Sequence, residues 1–500
     1  MPAEIDVNPN QPVQSSSRPW DAFARGVRDN LIAEVGGQGI RVAGIVILAR
    51  MLRPGDFGVY RILLVVSMFV TLFSEAGIPD ALIQRKELQS SHEATGWWLT
   101  VALTGTCIAG LYILAPLLER LMEMPGMGFG LRLICIPSML EGASIIANAR
   151  LRRQIRFGPL AMSEVVAECV FAAVAILLVW LGYPRWSLPG GLAARLSAHA
   201  IFILVAAPYV PREMPRVAAA RDLWRFATAA FGGRVVTVAS GNIDYVLVGR
   251  LLGSTALGFY STAWDLLRFV PGRLYRIAGR VAMPAFAKIQ DNNEELAQAY
   301  RYLLDYIARF VLPVSGCVAI AAPELLSSLY GVTWLPAATP MRILTLGLGL
   351  AGILICIGTV FYAKNYPSID IYLMSGRFAL LAAIILLTAR QGLSVVSVGV
   401  SAVEAMTSIA GQYIVCALIG FRLRDLVSAI LPGSRLALAC MLATAAGKVA
   451  GIWLGAKAPF ILLLVATPPA AIFSWLQAGA AAQMIGTAFK RTPDKAVQAL

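Results

Sequence analysis

The sequence predicts an all-α polytopic membrane protein of about fourteen transmembrane helices, arranged as two pseudo-symmetric six-helix lobes around a central cleft plus two C-terminal helices. Three observations predict it. Hydrophobic residues make up 58% of the chain and charged residues 14%, with a mean hydropathy of +0.71, whereas a water-soluble domain carries roughly 25% charged residues to wet its surface. Apolar runs of about twenty residues, the length that crosses about 30 Å of hydrocarbon, recur from end to end. One motif occurs twice, 200 residues apart.

Residues 1–25 are polar, rich in Pro, Ser, Asn and Gln, and predict a disordered cytoplasmic tail with no signal peptide. The first lobe, 26–212, holds apolar runs at 30–49, 59–78, 96–118, 129–149, 159–182 and 187–209. The second, 213–422, holds runs at 226–249, 257–279, 304–330, 338–362, 368–389 and 393–420. An accessory pair at 434–455 and 459–485 fills 423–488, and 489–500 is a second cytoplasmic tail. Lys and Arg crowd into alternate connectors, for example Arg85, Arg150, Arg152, Arg153, Arg212, Arg216, Arg221 and Arg225. These connectors are about threefold richer in positive charge than the intervening ones, the positive-inside pattern that sets both termini in the cytoplasm. The same dispersal argues against nucleic acid as the reason for the net charge of +14, since no basic domain forms.

Two connectors look amphipathic, with a plain solvated connector as the alternative reading of each. Arg150 to Phe157 alternates arginines with apolar residues and suits an anionic lipid surface. Asp291 to Arg301 places Glu294 and Glu295 early and Arg301 late, as a helix dipole favours. Seven cysteines lie far apart inside apolar runs, without a CxxC spacing, and read as small hydrophobes. Only His92 and His199 are present, so a histidine-based metal or nucleophile site is not expected; nor is any cofactor, metal or catalytic residue. Trp97, Trp98, Trp186, Trp334 and Trp453 suit interface belts.

The repeat aligns Ile47 to Tyr60 with Leu247 to Tyr260, with Arg50/Arg250, Leu52/Leu252, Gly58/Gly258 and Tyr60/Tyr260 identical. Each copy closes one span and opens the next; Arg and Tyr suit the membrane interface and Gly a tight turn. Six spans separate the copies. An even number gives both the same orientation, so the repeat is parallel, about an axis along the membrane normal.

Leu48-Ala-Arg-Met-Leu-Arg-Pro-Gly-Asp-Phe-Gly58, Ala81-Leu-Ile-Gln-Arg-Lys-Glu87, Asp244 to Tyr260, Pro284-Ala-Phe-Ala-Lys-Ile-Gln290 and Tyr330-Gly-Val-Thr-Trp334 resemble the Wzx-type oligosaccharide flippases of the polysaccharide transporter family. That family lies within the superfamily of multidrug, oligosaccharidyl-lipid and polysaccharide exporters. The resemblance runs from about residue 25 to 425. It implies a protein of the bacterial inner membrane that moves undecaprenyl-diphosphate-linked repeat units between leaflets by alternating access, driven by an ion gradient. A polysaccharide polymerase and a chain-length regulator are its implied partners. These motifs mark turns and packing, so they leave the glycan open.

Charged residues inside the apolar runs select site candidates, because an Arg, Lys or Asp at mid-helix costs about 2.5–3.5 kcal/mol on insertion scales unless it faces protein or water. Arginines outnumber carboxylates there, and a planar guanidinium suits a diphosphate. Arg41 and Arg234, on the paired first helices of the lobes, lead the substrate-binding set, followed by Arg268 and Arg276, then Arg195 and Arg132. Each has the alternative of an internal ion pair or a snorkelling position; Arg273 and Arg377 read as interfacial, and Asp305–Arg309 as a helical pair. Glu141, Glu164, Glu168 and Asp244 are the ion-coupling candidates, with neutralisation by neighbouring arginines as the alternative. A polysaccharide polymerase or ligase would need a large external loop or a carboxylate constellation, and neither is visible. A small-molecule antiporter of the same superfamily for cationic drugs would need an acidic cleft.

Overall fold

The computed structural model describes residues 36–85, 88–269, 282–353 and 356–453, and these are helical nearly throughout. Helices suit an apolar solvent because every backbone N–H and C=O is satisfied within the segment. In chain order they are α1 (36–51), α2 (Pro54–Glu75), α3 (Ile78–Gln84), α4 (Ser90–Met122), α5 (Met127–Leu133), α6 (Cys135–Arg153), α7 (Phe157–Trp180) and α8 (Pro184–Ala206). There follow α9 (Val217–Ser240), α10 (Ile243–Phe269), α11 (282–288), α12 (Asn293–Leu329), α13 (Ala338–Ile353), α14 (Ile357–Ala363), α15 (Pro367–Thr388), α16 (Leu393–Ile419) and α17 (Leu423–Trp453). Among the described residues ten helices are long and apolar enough to cross a membrane. The protein is a multi-pass membrane protein. The expected tails and the run 459–485 lie outside the described residues.

Local chemistry sets the boundaries. Pro54, Pro184 and Pro367 open α2, α8 and α15, where a missing N–H costs nothing. Asn292 caps α12 by accepting from the Glu294 and Glu295 N–H groups, with both carboxylates in the first turn as the charge order predicts. Between α2 and α3, Ala76 and Gly77 both take left-handed backbone (φ 43° and 79°), which ends α2 at Glu75 and brings Asp80 beside it.

One difference from the sequence reading lies at α9 and α10. The expected run 226–249 is split: α9 starts at Val217, and the chain turns at Gly241 and Asn242 before α10 resumes at Ile243. The polar Ser240-Gly241-Asn242 cluster marks the turn, a local signal that a reading by the length of the apolar run passes over. The bend expected near 250–256 is at Gly253, whose φ of 87° breaks the helical path of α10.

The two motif copies touch each other. A methyl group on Gly58 would lie 1.9 Å from the Ser254 carbonyl oxygen, and one on Gly258 would lie 1.9 Å from that of Pro54. Positions 54 and 58 on α2 thus meet 254 and 258 on α10 reciprocally, and only glycine permits the approach. Trp334 seals this junction. Its ring stands edge-on to Phe57 at 5.0 Å and to Phe259 at 6.1 Å, one from each copy, and its Nε1 donates to the Ala49 carbonyl at 2.9 Å. It is fully buried, so it is not an interface-belt residue as its flanking sequence suggests. Tyr60 and Tyr260 are buried too. Arg50 keeps an end position, donating to the last carbonyls of α12, Leu329 at 2.9 Å and Ser328.

The larger hydrophobic core runs through this junction, joining Leu63 and Leu131 to Tyr260, Trp334 and Leu344. A second core lies farther along the chain, around Tyr300, Phe361 and Phe421. All seven cysteines are free, and Cys169, read as a buried hydrophobe, is exposed.

Candidate functional site

A cavity of about 280 Å³ opens between α2, α3, α6, α7, α8 and α9. Its polar lining comprises Glu75, Asp80, Glu141, Glu164, Arg152, Arg234 and His199, with Ser138, Ser144 and Asn148 among them. Among the described residues, four carboxylates therefore face two guanidiniums. The arginine-dominated cleft expected from the sequence is not what this cavity presents. The physical reason is that the half-exposed Arg234 guanidinium is already engaged by two of those carboxylates, Glu75 and Asp80, while Arg152 is exposed.

Arg234, on α9, is the clearest case. Its Nη2 donates to Glu75 Oε2 at 2.6 Å and its Nη1 to Asp80 Oδ2 at 3.2 Å. The α2–α3 turn presents both acids to it from the first half of the chain. Arg195, on α8, pairs with Glu168 (3.0 Å) and Glu164 (3.4 Å) on α7. The two acids share a face at i,i+4, and the guanidinium between them removes their repulsion. His199, one turn beyond Arg195, places Nδ1 3.6 Å from Glu141 and Nε2 3.8 Å from Glu164.

The remaining candidates divide. Arg41, half-buried on α1, acts electrostatically on the Tyr60 hydroxyl together with Arg195, Arg61 and Glu168, but it does not line the cavity. Arg132 is exposed on α5, with its guanidinium over the Tyr112 ring at 4.9 Å and Nε toward the Tyr112 carbonyl at 3.4 Å. The side chain of Arg268, and Arg273 and Arg276 altogether, lie outside the described residues. Asp244 is buried on α10 and accepts from the Tyr260 hydroxyl at 2.9 Å, away from the cavity.

Arg377 is not interfacial. It is buried and forks onto Glu404 (Nε to both oxygens at 3.1 Å, with Nη2 also donating), while its Nη1 donates to the Ser240 carbonyl at 2.6 Å. It also acts on Asp244 and Tyr260. Each repeat tyrosine thus stands near a buried arginine–glutamate pair: Tyr60 near Arg195–Glu168, Tyr260 near Arg377–Glu404. Arg150 and Arg153, for which a lipid surface and plain solvent were the alternatives, have protein partners: Arg150 meets Glu93 at 3.4 Å and the Tyr209 ring at 5.1 Å, and Arg153 donates to the carbonyls of Leu82 (2.7 Å) and Arg85 (2.6 Å).

Sequence reasoning missed Glu75 and Asp80. Glu75 lies inside the run 59–78 and Asp80 just beyond it, and neither entered the set of intramembrane charges; the Gly77-Ile-Pro79 interruption beside them was the available signal.

The family described as "Polysaccharide biosynthesis protein" matches residues 47–339, a stretch that contains both motif copies, α2 to α12 and the whole cavity lining. The chain belongs to this family. The resemblance carried by the motifs points the same way. Within the family's reach, the chain is 26% identical over 331 residues to the succinoglycan biosynthesis transport protein ExoT of Rhizobium meliloti (strain 1021), an alignment covering 65% of this chain and 66% of ExoT. It is 22% identical over 315 residues to the lipopolysaccharide biosynthesis protein WzxC of Escherichia coli (strain K12), covering 62% and 63%. The chain thus spans just under two thirds of the length of the curated relatives it matches. Among solved structures, the lipid II flippase MurJ in an inward closed conformation superposes with a TM-score of 0.70 at 13% identity, over 90% of this chain and 98% of MurJ. An inward-facing multidrug resistance transporter of the MATE family superposes with a TM-score of 0.58 at 14% identity, over 78% and 95%. These two likenesses show that the fold is that of the MurJ and MATE transporters.

Proposed function

We propose that the protein is a flippase that carries an undecaprenyl-diphosphate-linked oligosaccharide repeat unit from the inner to the outer leaflet of a bacterial inner membrane, for exopolysaccharide, capsule or O-antigen synthesis. The observation that carries this reading is the Arg234 clamp. A guanidinium from the second half of the chain is held by two carboxylates from the first, at the wall of a cavity inside the bundle. A diphosphate offers the same bidentate acceptors with more charge, so it can replace Glu75 and Asp80 on Arg234 and release the two halves from each other. Substrate binding and lobe movement then become one event. The names of the relatives, a succinoglycan transport protein, a lipopolysaccharide biosynthesis protein and a lipid II flippase, support the substrate class.

In this reading residues 26–212 and 213–422 are the rocking halves, 423–488 an accessory pair, and both termini lie in the cytoplasm. The reciprocal Gly58 and Gly258 contacts support the two-fold relation of the halves. Arg195 and Glu168 brace the wall, Glu141 and Glu164 are the ion-coupling groups, and a polymerase and a chain-length regulator take the product onward. The protein performs no covalent chemistry and uses no cofactor.

A second reading is favoured by one observation. Four lining carboxylates against two guanidiniums would suit a small cation, as in a drug exporter. One experiment separates the two. Deletion should accumulate lipid-linked repeat units on the cytoplasmic face and strip the surface glycan, and Arg234→Ala, present in the membrane at normal level, should lower rescue at least about tenfold, as expected for the loss of a charge-assisted bidentate contact. A deletion strain with unchanged intermediates and glycan, but newly sensitive to cationic dyes, would establish the exporter instead.

A further inference from the structure

We propose that His199 is a proton-binding site of the cavity, and that the proton is taken up together with the anionic headgroup. The anion half rests on the flippase reading; the proton half does not. His199 presents each ring nitrogen to a different carboxylate on a different helix: Nδ1 to Glu141 Oε1 on α6 at 3.6 Å, and Nε2 to Glu164 Oε1 on α7 at 3.8 Å. A neutral imidazole has one N–H and can serve only one of them, whereas the protonated ring donates to both. Both separations are slightly longer than a hydrogen bond, and Nδ1 is buried without a hydrogen-bond partner among the described residues. The ring stands between two acceptors and is committed to neither. Protonation at the vacant nitrogen supplies the missing donor.

Glu164 makes the arrangement adjustable. Its side chain is 57% exposed, and it is shared between His199 and Arg195, while Arg195 keeps Glu168 in either case. When the ring takes a proton, Glu164 can close on it without leaving Arg195 unpaired. The other charged groups around the ring are Glu141 from α6, Glu168 from α7, Arg195 on its own helix α8, and the Tyr60 hydroxyl from α2 behind Arg195. From α5, Arg132 is turned away onto Tyr112. Across the cavity stand Glu75, Asp80, Arg152 and Arg234. With His199 neutral the described lining is net acidic, which opposes an anion; each proton bound adds one positive charge where the headgroup must sit. By linkage, the anion favours the proton as much as the proton favours the anion. An imidazole is suited to this because it ordinarily changes charge between pH 5 and 8.

The chain has two histidines, so His92→Gln leaves a single imidazole. In the full-length protein labelled with [15N]histidine and held in lipid nanodiscs, that imidazole should pass from neutral to protonated as the medium is acidified, with a midpoint that moves in Glu141→Gln and in Glu164→Gln. A ring that keeps one protonation state throughout, or that ignores both substitutions, overturns the proton site. Undecaprenyl diphosphate serves as the anion probe, with His199→Gln as the reference that cancels the probe's own titration. Wild type should bind it about tenfold more tightly than His199→Gln at the acid pH where the ring is found protonated, the scale of one added charge a few ångströms from the headgroup, and equally at the alkaline pH where it is found neutral. Equal affinities at both pH values overturn the joint uptake of proton and anion. A probe that binds wild type at neither pH sinks the flippase reading and the anion half with it, while the imidazole titration still decides the proton half.

Discussion

Arg377 is in contact with a carboxylate 27 positions away along the chain, a serine hydroxyl and a backbone carbonyl, and it has little water around it. A buried ion pair is expensive to break from one side, because the survivor keeps its charge and loses its solvation. Arg377→Ala should therefore cost roughly 3–5 kcal/mol of stability, read as an earlier thermal unfolding in detergent, and the double replacement Arg377→Leu with Glu404→Leu should recover most of it. Were the single and double variants equally unstable, the pair would not be what holds α15 to α16. Legibility at this scale followed sequence distance. Asp305 and Arg309, one turn apart, were readable as a pair and meet at 2.8 Å. Arg234 and Glu75 were not, since their meeting depends on how α9 lies against α2, which no local pattern encodes. Trp334 misled for the same reason: it follows a turn, as belt residues do, but the α2–α10 junction packs over it.

The crossing of α2 and α10 depends on two atoms being absent. Gly58→Ala or Gly258→Ala would drive a methyl group into a carbonyl oxygen of the facing helix, at 1.9 Å in either case. Each should destabilise by about 1–3 kcal/mol or more, the usual cost of overpacking, and shift the transition of both halves together. Gly36→Ala and Gly232→Ala, with nothing within 4 Å of the added carbon, are the matched controls. If all four behaved alike, helix propensity rather than the crossing would be responsible. Helix positions were legible because burial in lipid imposes a length, and most apolar runs fall within a few residues of a helix. What the length of an apolar run could not report was the turn at Gly241–Asn242, or the way Ala76 and Gly77 turn the chain so that Asp80 comes beside Glu75, since both depend on backbone angles rather than on apolar length.

At the scale of the molecule, the membrane environment and the duplicated motif were readable from composition and from four identities at a spacing of 200. The sign of the cavity was not. Counting intramembrane charges treats each as free, whereas in the fold most of them neutralise one another and the balance at any one surface depends on which partner faces the void. The Gly58–Ser254 and Gly258–Pro54 contacts have a consequence beyond packing. A junction in which each side offers the other the same surface has the form of a homodimer interface linked covalently, and such surfaces are self-complementary by symmetry. Fragments 1–212 and 213–500, translated from separate messages, should find each other in the bilayer and co-purify through an affinity tag on one of them. Gly58→Ala in the first fragment should weaken that recovery, because the polypeptide linker would no longer hold a mismatched pair together.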